Sequence, residues 1–348
     1  MGPVMRPAEV PSQVPLVEEL GWIPVDEAGA AGVARRVAVD LARRLGFSDE
    51  RTGEVAIVAA ELASNLHRHA DVGSLSVRCL RSGDTGGVEL VAVDSGPGMA
   101  DLVFSGSDGT STAGTLGIGL GAVRRLSSHS GGYSLPGRGT VLAAQLWPDR
   151  RDVGVPVVAG LTRPITGESV CGDRWAALVR GGALLVLVAD GLGHGALAAT
   201  AANAAVDAFL GGDLDAPAAI VERLHRLVSH TRGAAVSVAR VEAGAEGGTV
   251  RFAGLGNVAG VVASPNGERR GMVSMPGIVG HQSRGVREFT YDLPPEAVVV
   301  LHSDGVSDRW TLRDYPGLSR QDPLLIAGTL LRDAGVRRDD ACVAVVRP

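Results

Sequence analysis

Seven apolar residues in a row, 183–189, stop at an acid and a flexible turn, Asp190-Gly191-Leu192-Gly193-His194-Gly195, before an alanine-rich segment begins. A run of that length and composition, closed by glycines, predicts a buried strand followed by a helix. Burial fixes the strand's last residue at the rim of a sheet. A carboxylate there, beside a glycine whose carbonyl is open to approach, suits a hard divalent cation. Three further acidic sites stand the same way. Asp173 lies in Cys171-Gly172-Asp173-Arg174-Trp175, Asp304 follows the apolar run 298–302, and Asp339-Asp340 precede the run 341–346. Carboxylates gathered at one rim repel one another unless cations neutralise them. Two cations bridged there would clamp an oxyanion and acidify water into a nucleophile.

In this order, GDRW, VADGLGHG, SDGVSD and DDAC resemble the motifs of the metal-dependent PPM (type 2C) serine/threonine phosphatases, in the compact bacterial branch typified by SpoIIE and RsbX. The resemblance spans about residues 155–348. It implies two Mn²⁺ or Mg²⁺ ions, with Asp190 and Asp304 central to catalysis. Asp190 would bridge both metals, the Gly191 carbonyl would join one, Asp304 and Asp339 would bind the second, and Asp173 would support the first through water. The last motif usually ends in Thr or Ser, where this chain has Cys342. The departure leaves Asp339 and Asp340 both open as the ligand, with Asp339 preferred from its place in the motif.

Composition narrows the alternatives. A hydrophobic content of 45% in 348 residues supports two sizeable cores, and a net charge of -5 without an arginine block argues against a nucleic-acid surface. The chain has no lysine, which rules out a P-loop. Any nucleotide phosphates must then be held by backbone N–H groups and arginine. Cys79, Cys171 and Cys342 lack metal-ligand spacing and fit buried thiols in a reducing compartment. No run approaches the ~18 apolar residues of a membrane span, and no apolar leader is visible. A cytoplasmic protein without a membrane partner is expected.

Residues 1–14 read as a loose tail. An amphipathic helix is predicted over 28–45 with Gly46 at its end, and a second from Ser48, as N-cap, to about Ala70. Strands over 74–80 and 88–94, a Gly/Ser/Thr-rich stretch over 95–117, a helix over 119–128 and a hairpin over 133–147 complete an α+β domain, 15–147. The polar, proline-containing 148–154 is placed as the linker to a second domain, 155–348, a β-sandwich flanked by helices.

The first domain holds its own constellation. Glu61 and Asn65 share a helix face, Asp94-Ser95-Gly96-Pro97-Gly98 ends a strand, Gly117-Ile118-Gly119-Leu120-Gly121 opens a helix, and Gly139-Thr140 opens a strand. Asp94 can accept a hydrogen bond from an exocyclic amine, and glycines at a helix start let N–H groups approach phosphates. These pieces resemble the GHKL (Bergerat) ATP-binding α/β sandwich, and 108–126 resembles the RsbT-type serine kinases, relatives of the RsbW and SpoIIAB anti-sigma factors. The resemblance implies ATP and Mg²⁺, with Glu61 as general base and Asn65 as Mg²⁺ ligand. Asp94, Gly96, Gly98 and Thr140 would surround adenine, Gly117, Gly119 and Gly121 would lie under the phosphates, and 104–115 would be a lid. Arg124 or Arg125 is a candidate for neutralising phosphate.

The combined expectation is a bifunctional regulator, kinase and phosphatase, acting on a STAS-domain phosphoprotein in a partner-switching stress pathway, with a sigma factor as a further partner. The alternative is a phosphatase gated by a module that binds ATP, or an anti-sigma-type partner, without transferring phosphate.

Overall fold

The computed structural model describes residues 14–27, 29–100, 102, 118–150, 155–244, 246–336 and 338–348. The described residues form two compact units, Pro15–Pro156 and a second that joins Val14 to Val157–Pro348.

In the first unit the order is β1 (Leu16–Pro24), α1 (Ala30–Arg44), α2 (Asp49–His69), β2 (Gly73–Ser82), β3 (Thr85–Asp94), α3 (Ile118–Leu126), β4 (His129–Leu135) and β5 (Gly139–Leu146). The strands form one antiparallel sheet, β1-β2-β3-β5-β4. Helical and strand periods converge on one core. Ala34, Ala38 and Leu41 of α1 and Val55, Val58, Leu62 and Leu66 of α2 pack with Leu75, Val77 and Cys79, Leu90 and Ala92, and Leu142 and Ala144. The end of α1 is set by Gly46 at φ +77, whose N–H reaches Arg43 O while Phe47 N–H reaches Ala42 O, the paired bonds of a Schellman close. Ser48 caps α2 by accepting from Arg51 N–H at 3.1 Å.

Arg51 is buried and ties three elements together. It donates to Trp147 O (2.8 Å), Leu126 O (2.6 Å), Ser128 Oγ (2.9 Å) and Glu54 Oε2 (2.5 Å). Glu54 also pairs with Arg150. The start of the expected linker is therefore pinned to the first unit, and 151–154 lie outside the described residues.

The second unit runs β6 (Val158–Arg163), β7 (Asp173–Arg180), β8 (Ala183–Gly191), α4 (Gly195–Leu210), α5 (Pro217–Leu227), β9 (Ala234–Gly244), β10 (Gly247–Leu255), β11 (Val258–Ala263), β12 (Arg269–Met272), β13 (Ser274–Met275), β14 (Gly277–Ile278), β15 (Gln282–Ser283), β16 (Phe289–Leu293), β17 (Val298–Ser303), α6 (Pro323–Asp333) and β18 (Ala341–Val346). One sheet is β12-β11-β17-β18-β6; the other is β13-β10-β9-β8-β7, with β16 on β10. Their facing sides interleave Val186, Val188, Val250 and Phe252 with Val262, Val299, Leu301, Cys342 and Ala344. Val14 packs against this core, so the expected tail contributes its last residue to the second unit. The outer side of β8 and β9, with Leu185, Leu187, Val236 and Val238, packs under Ala202, Ala205, Ile220 and Leu224 of α4 and α5. Among the described residues no helix is long and apolar enough to cross a membrane.

Candidate functional site

The apolar strands of the second unit deliver their acids to one rim. Asp173 opens β7 and is the register partner of Asp190 at the end of β8. Asp304 follows β17, and Asp339-Asp340 precede β18. Asp173 is 1% exposed. Burial, reinforced by the Asp340 and Asp304 charges against a hydrogen bond from Ser303, pushes its carboxyl up to about 7. Burial, followed by the charges of Asp173 and Asp304, pushes Asp190 up to about 9. The two share a hydrogen bond and titrate as a pair. Asp339 is also raised, by burial and then by Asp304.

This donor set fits a divalent cation. It consists of hard oxygens held at an energetic cost, and Asp173 Oδ2 is buried without a hydrogen-bond partner. No three His, Cys, Asp or Glu side chains among the described residues form a closed cage, so cations here need water and backbone oxygen to complete their shell. The Gly191 position is built for close approach. Its N–H meets Gly172 O at 3.2 Å, and any side chain would collide with the Ala198 carbonyl on α4.

The two acids of the last motif differ in occupation. Asp340 is buried, and its Oδ1 and Oδ2 accept from Ile165 N–H (2.7 Å) and Gly172 N–H (2.8 Å). Asp339 lies nearer solvent, and its Oδ1 accepts from Asp340 N–H at 2.9 Å. Cys342 points into the core between the sheets, 0% exposed, while its N–H donates to Ser303 Oγ at 2.9 Å. Ser303 thus links β17, β18 and Asp173, a role that no motif announced.

In the first unit a cavity of about 640 Å³ is lined by Glu61, Asn65, Asp94, Gly98, Gly119 and Thr140, with Arg68 beside them. That volume suits a nucleotide-sized ligand. Glu61 and Asn65 face it from one side of α2. The Glu61 carboxylate lies against Gly119 in the first turn of α3, where any side chain would strike Oε2. Asp94 is 7% exposed, and its Oδ1 accepts from Gly96 N–H at 2.8 Å. Gly98 takes φ +67 against the Leu135 carbonyl, a conformation and a closeness that exclude a side chain. Thr140 Oγ1 and Ser134 Oγ are 2.9 Å apart, and Ser134 Oγ accepts from Met99 N–H at 2.7 Å.

Of the expected residues Gly117 lies outside the described residues, as does the stretch 104–115 expected as a lid. Gly121 sits on α3 but is not among the residues lining the cavity. Arg124 and Arg125 are exposed on α3 and do not line it either, whereas Arg68, three residues beyond Asn65, does. Helical spacing from Asn65 could have found it. Arg68 donates from Nε and Nη2 to Ser64 Oγ, at 3.1 and 2.6 Å.

Comparison with known proteins assigns both halves. The histidine kinase-like ATPase domain family matches residues 23–146, and the Stage II sporulation protein E (SpoIIE) family matches residues 180–347. The serine/threonine-protein kinase RsbT of Bacillus subtilis (strain 168) is 32% identical over 114 residues, 33% of this chain and 86% of RsbT. The phosphoserine phosphatase RsbX of the same organism is 26% identical over 141 residues, 40% of this chain and 70% of RsbX. A solved structure of RsbX in complex with magnesium is 23% identical, with 55% of this chain and 94% of that one covered and a TM-score of 0.44. Through its first unit this chain belongs to the family of the serine/threonine-protein kinase RsbT, and its second unit carries a SpoIIE-family match over residues 180–347, an arrangement that matches a kinase module fused to a PPM phosphatase.

Proposed function

We propose that the chain is a two-way phospho-switch, whose first unit phosphorylates a serine or threonine of a STAS-domain protein and whose second unit removes that phosphate. The observation that carries the phosphatase half is the rim of carboxylates around Asp173, buried with an oxygen unpartnered. Asp190 and the Gly191 carbonyl would hold one Mn²⁺ or Mg²⁺, and Asp190, Asp304 and Asp339 a second. Asp173 would support the first through water. Asp340 is reserved for the backbone of the loop before β7. Bound cations would supply the positive charge that acidifies water and steadies the phosphoryl oxygens. The chain's own part is to hold these carboxylates close together at the rim, and to keep the rim ordered while the bond from phosphorus to the serine oxygen breaks.

In the kinase half, ATP with Mg²⁺ would supply the phosphoryl group. Asp94, fixed by Gly96 N–H, would accept from the adenine amine beside Gly98 and Thr140. Asn65 would hold Mg²⁺ through its amide oxygen, and Glu61 would take the proton of the attacking hydroxyl. The first turn of α3 would face the phosphates, its N–H groups favouring anions. The relation to RsbT and RsbX supports a STAS-type partner and a partner-switching stress pathway, with a sigma factor as the downstream regulator.

Intact-mass spectrometry of a candidate STAS partner tests both directions. The Asp190→Ala chain with Mg²⁺-ATP should add one phosphate to the unmodified partner. The Glu61→Ala chain with Mn²⁺ should remove it from the phosphorylated one. Removal without addition would refute the kinase half and make the first unit a nucleotide-dependent regulator. Removal by the Asp190→Ala chain as well would refute the metal assignment.

A further inference from the structure

Strands β10 and β11 belong to different sheets, and the chain crosses between them at Gly256-Asn257. Packing fixes this turn. Gly256 has φ +98, a side chain there would meet Ala235, and its N–H donates to Met275 O at 2.9 Å. Register then decides what Asn257 faces. Val258 pairs with Ser303 on antiparallel β11 and β17, so the next residue beyond each strand brings Asn257 opposite Asp304. Asn257 Nδ2 donates to Asp304 Oδ2 at 2.7 Å.

We propose that Asn257 is a positioning residue of the metal centre, holding the Asp304 carboxylate by one oxygen and leaving the other to the cation. The inference rests on the reading of Asp304 as a metal ligand and deepens it. Asp173 is oriented by burial, and Asp339 by the Asp340 N–H. Asp304 is exposed, and without a strut its carboxylate turns freely about two side-chain bonds. A neutral amide suits the task. It donates to the carboxylate without cancelling the charge that attracts the metal, which an arginine would do. Hydrogen-bond partners of metal ligands of this kind are worth about 10–100-fold in metal affinity.

The test is calorimetric titration of the full chain with Mn²⁺, alongside the Mn²⁺ dependence of p-nitrophenyl phosphate hydrolysis. Asn257→Ala is expected to weaken one Mn²⁺ event, the one that Asp304→Ala abolishes, about 10–100-fold. At saturating Mn²⁺ its kcat should stay within about threefold of the parent, and its metal-free melting temperature should not change, because the side chain is exposed. Asp304→Ala is the control and should lose one equivalent of Mn²⁺. An unchanged isotherm for Asn257→Ala beside that loss would overturn the positioning role. An unchanged isotherm for both would overturn the metal reading itself. A kcat of Asn257→Ala that stays low at saturating Mn²⁺ with normal Mn²⁺ affinity would also overturn the positioning role.

Discussion

Removing divalent metal should make the second unit's stability fall steeply with rising pH. Asp190 at about 9 and Asp173 at about 7 keep protons that the unfolded chain, with carboxyls near 3.8, has already released. A folded state that binds more protons than the unfolded one loses stability as pH rises through its own pKa values. Between pH 6 and 8 the pair together holds one to two protons more than the unfolded chain, each costing roughly 1 kcal/mol of stability per pH unit. Together the pair should withdraw at most about 4 kcal/mol, roughly 10 °C in melting temperature for a unit of this size. Differential scanning calorimetry of the full chain in EDTA at pH 6, 7 and 8 reads the effect on the transition that Mn²⁺ shifts. Saturating Mn²⁺ should displace the protons and flatten the slope. Asp173→Asn with Asp190→Asn should flatten it without metal. A metal-free melting temperature constant within about 2 °C across this range, or a slope indifferent to Mn²⁺, would refute the account.

Three further outcomes are expected. Glu61→Gln should lower phosphoryl transfer at least about 100-fold while ATP affinity stays within about threefold, read by a transfer assay beside a fluorescent-nucleotide titration. Arg68→Ala should weaken ATP about tenfold and leave adenosine unchanged, since a guanidinium acts on phosphate rather than on the base; equal loss for both ligands would make Arg68 a structural residue. Cys342→Ser places a hydroxyl in the apolar layer between the sheets and should cost about 1–3 kcal/mol in denaturant unfolding, with Mn²⁺ affinity unaltered.

The strands that carry the acids were legible because each is an apolar run stopped by a carboxylate, and burial alone then sets where the acid emerges. Ser48 and Gly46 were legible because caps are local chemistry. Strand β1 was not: Leu16 and Leu20 are exposed and Gly21 interrupts the pairing, so its pattern carries no clear inward face. Strand β16 did show its period, with Tyr291 and Leu293 buried on alternate positions, but five residues made a short signal. The polar stretch after Trp147 reads as a linker, yet the buried Glu54 captures Arg150. Asn257 could not be found by spacing, since its partner lies 47 positions away and only strand register joins them.

Strand β18 lies between β6 and β17, so the sheet that begins with Val158–Arg163 is closed by Ala341–Val346. During synthesis β6 must wait for almost the whole unit before its neighbour exists, a contact slow to form because the intervening loop is long. Until then two strand edges stay open, and the acids preceding β18 are absent from the rim. A chain cut short before β18 would expose both unpaired edges to other strands and would lack Asp339 and Asp340 at the rim.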